Sequence, residues 1–204
     1  MTTAEHEAHR RFLNAYYRPV KHVYDVTRKY YLLGRDRVLR ELLEEPWGSL
    51  IEVGPGTGRN LMQLHQARAD ARYGAVEASD EMLAMVRERC PWARCQHGFA
   101  EDVDYSRVLG QRPDRILFSY CLSMVQDGGR ALDNARRALA PGGELVVIDF
   151  GDLGRRPLLA RAMSRFLAAF HVEAPAHALL CEHEACIRWG VGRYYLVARM
   201  KPLQ

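Results

Sequence analysis

No apolar run in the sequence approaches the roughly 20 residues that a membrane-spanning helix requires, so any contact with lipid is expected to be peripheral. The cysteines do not make an even set. There are five, at Cys90, Cys95, Cys121, Cys181 and Cys186, and the leading segment Met1 to Arg11 is too polar for a secretory signal. Both features fit a reducing cytoplasm. No block of lysine and arginine is interleaved with aromatic residues, which argues against RNA or DNA as a substrate. Internal repeats, low-complexity tracts and linkers are lacking as well. The excess of positive charge is small, a formal +4. It favours anionic surfaces only mildly, and arginines such as Arg87, Arg89, Arg136 and Arg137 read as solvated helix faces.

What is present is a chain of 204 residues, 48% apolar and 26% charged. That is enough to bury one real core without staples or metals. From Leu50 onward, short β-branched runs alternate with helical patterns, the mark of parallel strands joined by crossover helices. Strands are expected at Ser49 to Gly54, Arg72 to Glu77, Ala93 to Gly98, Asp114 to Tyr120 and Glu144 to Phe150. Helices are expected at Asn60 to Gln66, Asp80 to Arg89 (capped by Ser79) and Gly129 to Leu139. Pro141-Gly142-Gly143 turns the chain into the fifth strand. After a further helix at Pro157 to Phe170, the runs Cys186 to Trp189 and Tyr194 to Met200 flank Gly190-Val191-Gly192 and should pair as an antiparallel hairpin. The expected fold is therefore α/β, a mostly parallel seven-stranded sheet whose last strand is antiparallel. A helical cap over residues 1–46, periodic from about His6 to Leu43, would pack on the ligand face of a core formed by 47–204.

Chemistry concentrates in Glu52-Val53-Gly54-Pro55-Gly56-Thr57-Gly58-Arg59-Asn60, a glycine loop between a strand and a helix. Gly54 turns the chain off the strand, Gly56 removes a side chain where backbone approaches a ligand, and Gly58 permits close helix packing. Pro55 deletes one N–H donor, which favours an adenosyl ligand bearing an amino acid over a pyrophosphate. Glu77 ends the second strand 19 positions after Gly58, close to the offset of an acidic residue that takes ribose hydroxyls. At the third strand's end Phe99 either stacks on or flanks an adenine, with Ala100 beside it and Glu101, Asp102 or backbone groups left for its amino group. Ser119 and Tyr120 end the fourth strand beside the reacting centre; Tyr120 reads equally as site or core. Cys181-Glu182-His183-Glu184-Ala185-Cys186 lacks the spacing of a zinc site. No metal is assigned, and the stretch is expected to be a surface helix leading into the hairpin.

Beyond this loop, Tyr24 to Asp36, Gly56 to Asn60, Ser119 to Met124, Asp149-Phe150-Gly151-Asp152 and Phe170-His171-Val172 make the chain resemble bacterial betaine-lipid N-methyltransferases, which trimethylate diacylglyceryl-homoserine. The departures are Pro55, Glu77, Phe99 and a shortened region around Pro175 to Ala185. The resemblance implies a Rossmann-like class I methyltransferase fold and S-adenosylmethionine as cofactor. Its binding set would be Glu52, Gly54, Gly56, Gly58, Asn60, Glu77, Phe99, Ala100, Glu101, Ser119 and Arg35. It implies an amine-bearing lipid or small molecule as acceptor, with possible peripheral membrane contact. Tyr120 and Tyr24 are the candidate catalytic residues, and Tyr17, Tyr30, Tyr31 and Arg28 the candidate acceptor contacts. Aromatic faces stabilise a methylammonium by cation–π attraction, although helix packing explains most of these rings equally. Arg35 faces either a ligand carboxylate or the neighbouring Asp36. His22, His171 and His177 are open as bases, and Leu158, Leu159, Phe166, Leu167 and Phe170 form either a membrane-facing or a core-facing stripe.

Overall fold

Strands made of Val, Ile, Leu and Phe with no polar alternation are buried on both faces, which demands helices on both sides of one sheet. The computed structural model, which describes residues 3–17, 32–154 and 177–203, has that architecture. Its strands are β1 (Ser49–Val53), β2 (Arg72–Glu77), β3 (Arg94–His97), β4 (Arg115–Ser119), β5 (Glu144–Phe150), β6 (Cys186–Trp189) and β7 (Tyr195–Met200). They form a seven-stranded sheet in the order β3-β2-β1-β4-β5-β7-β6. β1 to β5 pair parallel, while β7 runs antiparallel between β5 and β6. The expected sheet and terminal hairpin are both present, and each expected strand boundary falls within one residue of the observed one.

The helices are α1 (Thr3–Tyr17), α2 (Arg35–Glu44), α3 (Arg59–Ala67), α4 (Asp80–Arg89), α5 (Tyr105–Leu109), α6 (Gly128–Ala138) and α7 (His177–Glu182). Because strand side chains alternate between faces, Ile51 and Val53 join one apolar cluster with α5, α6 and α7, while Leu50 joins another with α2, α3 and α4. Full burial of a leucine such as Leu50 contributes about 1.5–3 kcal/mol. The local signals act as expected: the Ser79 hydroxyl accepts from Met82 N–H at the start of α4, and Asp127 accepts from Arg130 N–H at 2.9 Å to start α6.

The sequence reading missed α5, a five-residue helix capped by Asp104, which accepts from Ser106 and Arg107 N–H groups. It is too short to show a period. The helical stretch expected from His6 to Leu43 contains α1 and α2, with 18–31 between them outside the described residues. α2, on the cap side of the expected boundary at residue 46, buries Val38, Leu39 and Leu42 in the same cluster as Leu50 and Leu61. The helix expected at Pro157 to Phe170, with its apolar stripe, lies outside the described residues. Among the described residues no helix is long and apolar enough to cross a membrane, and no group of side chains is placed to hold a metal ion.

Candidate active site

Parallel strands end together at their carboxyl edges, and in such sheets the crevice outside those edges receives ligands. Here a cavity opens at the ends of β1, β2 and β4, roofed by α1 and the start of α2. Its floor is the glycine loop, which runs with positive φ at Gly54, Gly56 and Gly58. Gly58 is not on the cavity wall. It caps α3 at φ +77°, and a Cβ there would lie 2.8 Å from the Cys90 sulfur. Its role is helix packing rather than ligand contact.

Two ionisable groups meet at one end of this floor. Glu52, fully buried, accepts from the Asn60 amide at 2.7 Å through Oε1. Burial pushes its carboxyl up to about 8 against the lowering influence of Asn60 and Arg35. Its Oε2 and the Asn60 Oδ1 have no partner among the described residues. Arg35, the first residue of α2, turns its guanidinium to the same place, with Nε buried and without a partner among the described residues. Asp36 does not pair with it but with Arg59, at 2.8 Å. Burial, followed by repulsion from Arg59, holds the Arg35 guanidinium below its ordinary value. A half-buried guanidinium and a buried carboxyl, each with an open hydrogen-bonding position, suit the two charges of a free amino acid.

Glu77 lies further along the wall, at the end of β2. Ser79 N–H donates to it at 2.9 Å. Burial raises its carboxyl to about 7, opposed by the N–H groups of Ser79, Gly56 and Ala78. A carboxylate fixed in this way accepts well from a vicinal diol. The third wall is Gly98 to Glu101. Phe99 stacks against His6 of α1, centroids 4.3 Å apart and nearly parallel, so the ring flanks the cavity as half of an aromatic pair. The Ala100 carbonyl accepts from Asn134 and Tyr105. Glu101 accepts from Asp127 N–H at 3.2 Å and keeps its place on the cavity wall. Asp102, the alternative for an amino group, is engaged by Arg130 and lies 3.1 Å from His6. Ser119 and Tyr120 close the cavity beside the end of β4, and the Tyr120 hydroxyl donates to the Leu33 carbonyl.

Tyr24, Tyr30, Tyr31, Arg28, His22 and His171 lie outside the described residues, as does the side chain of Tyr17, which ends α1. His177 is away from the cavity wall, between Cys181 and Trp189. Two groups escaped the sequence reading. His9 of α1 lines the cavity, where burial lowers its pKa against the raising effect of Glu101; the signal was its spacing of three from His6, which puts both on one helix face. Asp149, at the carboxyl end of β5, is fully buried, its Oδ2 without a partner among the described residues. Burial raises it to about 6 against the N–H groups of Phe150, Ser123 and Leu122. Its signal was a carboxylate inside an otherwise apolar strand end.

The cavity therefore offers polar and aromatic partners of the kind that an adenosyl ligand carrying an amino acid requires. Comparison with known proteins agrees. Residues 24–184 match the model of the methyltransferase domain family. The chain is 28% identical over 132 residues to the demethylmenaquinone methyltransferase of Streptomyces avermitilis, covering 62% of this chain and 55% of that protein. It is 28% identical over 127 residues to the phosphatidylethanolamine N-methyltransferase of Cereibacter sphaeroides, covering 58% of this chain and 60% of that one. The chain spans about half the length of the demethylmenaquinone methyltransferases it matches.

Among solved structures, a possible histamine N-methyltransferase from Thermotoga maritima shares the fold, with a TM-score of 0.63, 20% identity and coverage of 93% of this chain and 95% of that one. An amino pentose methyltransferase from Micromonospora echinaspora, solved with S-adenosylmethionine bound, is 25% identical with a TM-score of 0.50, covering 61% and 55%. The chain belongs to the methyltransferase domain family and has its Rossmann-like, seven-stranded fold.

Proposed function

We propose that the chain N-methylates an amine on a lipid headgroup, of the aminoacyl kind that the betaine-lipid resemblance implies. The observation that carries the amine is the match to a phosphatidylethanolamine N-methyltransferase over well over half of both chains. When bound, S-adenosylmethionine supplies an electrophilic methyl group on a sulfonium, leaving S-adenosylhomocysteine once a nitrogen lone pair has taken that methyl. The protein's own part is positioning and exclusion of water. In this reading Arg35 and Glu52 hold the amino-acid end, assisted by Asn60, Glu77 holds the ribose, Phe99, Ala100 and Glu101 hold the adenine, and Ser119 flanks the sulfonium.

A soluble amine is the second reading, favoured by the 25% identity to the amino pentose enzyme. The two are separated by incubating the protein and methyl-labelled S-adenosylmethionine with vesicles of aminoacyl or ethanolamine lipid, with water-soluble amines, and with a demethylmenaquinone. Label recovered on lipid nitrogen is the expected result. Label confined to soluble amines selects the second reading, and label on quinone carbon alone overturns amine methylation.

A further inference from the structure

Tyr120 stands at φ +55°, in the left-handed region that a bulky side chain adopts only when its surroundings hold it there. Those surroundings are specific. Its backbone N–H donates to the Ile148 carbonyl at 2.8 Å, and its ring packs edge-on against Phe150 with centroids 4.7 Å apart. Its hydroxyl donates to the Leu33 carbonyl, 87 positions away in sequence. The phenol is therefore a committed donor, and burial pushes it well above the ordinary tyrosine range, so it is not set up to exchange a proton with an acceptor.

The hydroxyl grips the peptide before Gly34, which is the N-cap of α2 at φ +82° and offers no capping side chain. A Cβ at Gly34 would lie 2.4 Å from the Tyr195 ring, so the Tyr195 ring bounds this peptide on a second side. The next residue is Arg35. Its guanidinium is half-buried and sits near Arg59, both of which favour its swinging out, while Glu52 and Asp36 draw it in. The orientation of the side chain depends on where α2 begins.

We infer that Tyr120 is a positioning residue for the amino-acid end of the cofactor: its hydroxyl fixes the Leu33 carbonyl and the entry to α2, and so keeps the Arg35 guanidinium where a ligand carboxylate can meet it. This rests on the reading of Arg35 as the carboxylate partner. It reassigns Tyr120 from the acceptor to the donor side of the reaction, acting through another residue.

The test uses two ligands that share the adenosyl group, S-adenosylhomocysteine, which carries the carboxylate, and 5′-methylthioadenosine, which lacks it. Calorimetric titration of Tyr120→Phe should show affinity for S-adenosylhomocysteine reduced about 5- to 10-fold, the worth of one hydrogen bond, with methylthioadenosine unchanged. Arg35→Met should show a larger loss with the same selectivity, and adding Tyr120→Phe to it should change nothing more. Unchanged methylthioadenosine binding also shows that the variants fold. Equal losses for both ligands, additive losses in the double variant, or a fall in kcat with no loss of S-adenosylhomocysteine affinity would each overturn the inference. Arg35→Met with undiminished S-adenosylhomocysteine binding would overturn the reading of Arg35 itself, and wild-type protein binding neither ligand would remove the cofactor site on which both depend.

Discussion

At the scale of residues, the glycine loop separates into positions that face the cavity and one that does not. Gly58 turns α3 onto the sheet at φ +77°, where an L side chain costs about 1–2 kcal/mol. An added Cβ would also press on the Cys90 sulfur at 2.8 Å. Gly58→Ala should therefore lower unfolding free energy in urea by about 2 kcal/mol. Removing the sulfur in Gly58→Ala/Cys90→Ala should recover the steric part and leave the backbone part. A double-mutant cycle showing no coupling would deny that the contact matters. The carboxylates Glu52 and Glu77 were legible in the sequence because a loop of this kind fixes their offsets. Asp149 and His9 were not singled out, because a carboxylate in an apolar strand end and a histidine three positions from another are weak local signals until β4 and α1 are brought against them.

At the scale of elements, α1 is fastened to the rest by polar contacts. Asn14 accepts from the Ser79 hydroxyl and from Asp80 N–H and donates to Asp80 Oδ2, each at 2.9 Å. Arg10 adds a bond to Asp80 at 3.1 Å, and Leu13 is the helix's buried apolar anchor. Ser79 is also the residue whose N–H holds Glu77, so Asn14 ties the helix over the cavity to the loop that fixes this carboxyl on the cavity wall. Asn14→Ala should abolish hydrogen-exchange protection in residues 3–17 and weaken S-adenosylhomocysteine binding roughly tenfold, while the melting temperature of the core moves by no more than about 2 °C. Undiminished protection of α1 would show that apolar contacts suffice to hold it. The sheet was legible before any coordinates because its buried strands and capped helices announce themselves in composition and period. α5 was not, since a single helical turn has no period to read, and the attachment of α1 was not, since it rests on pairings between residues 66 positions apart.

At the scale of the whole molecule, the cavity makes the protein's stability depend on pH in an unusual direction. Burial raises Glu52 to about 8, Glu77 to about 7 and Asp149 to about 6. Between the ordinary carboxylate range and those values the folded chain holds protons that the unfolded chain has released, so unfolding becomes easier as pH rises. The carboxylates with lowered values, Glu45 and Asp152, act the other way only at acid pH, below the ordinary range. Half-buried His9, with its lowered pKa, offsets part of the trend just below pH 6.5. The ligand-free protein should thus lose on the order of 5 °C in melting temperature from pH 5 to pH 8. In the proposed reading a bound adenosyl ligand adds an ammonium beside Glu52 and hydroxyls beside Glu77 to the donors these groups already have, which lowers their pKa values and favours binding by the ionised forms. The thermal shift produced by saturating S-adenosylhomocysteine should therefore grow across the same interval, and Glu77→Gln should flatten both curves between pH 5 and 7. A ligand-free melting temperature that rises steadily from pH 5 to 8 would show that these carboxylates are not buried in the way their role in the site requires.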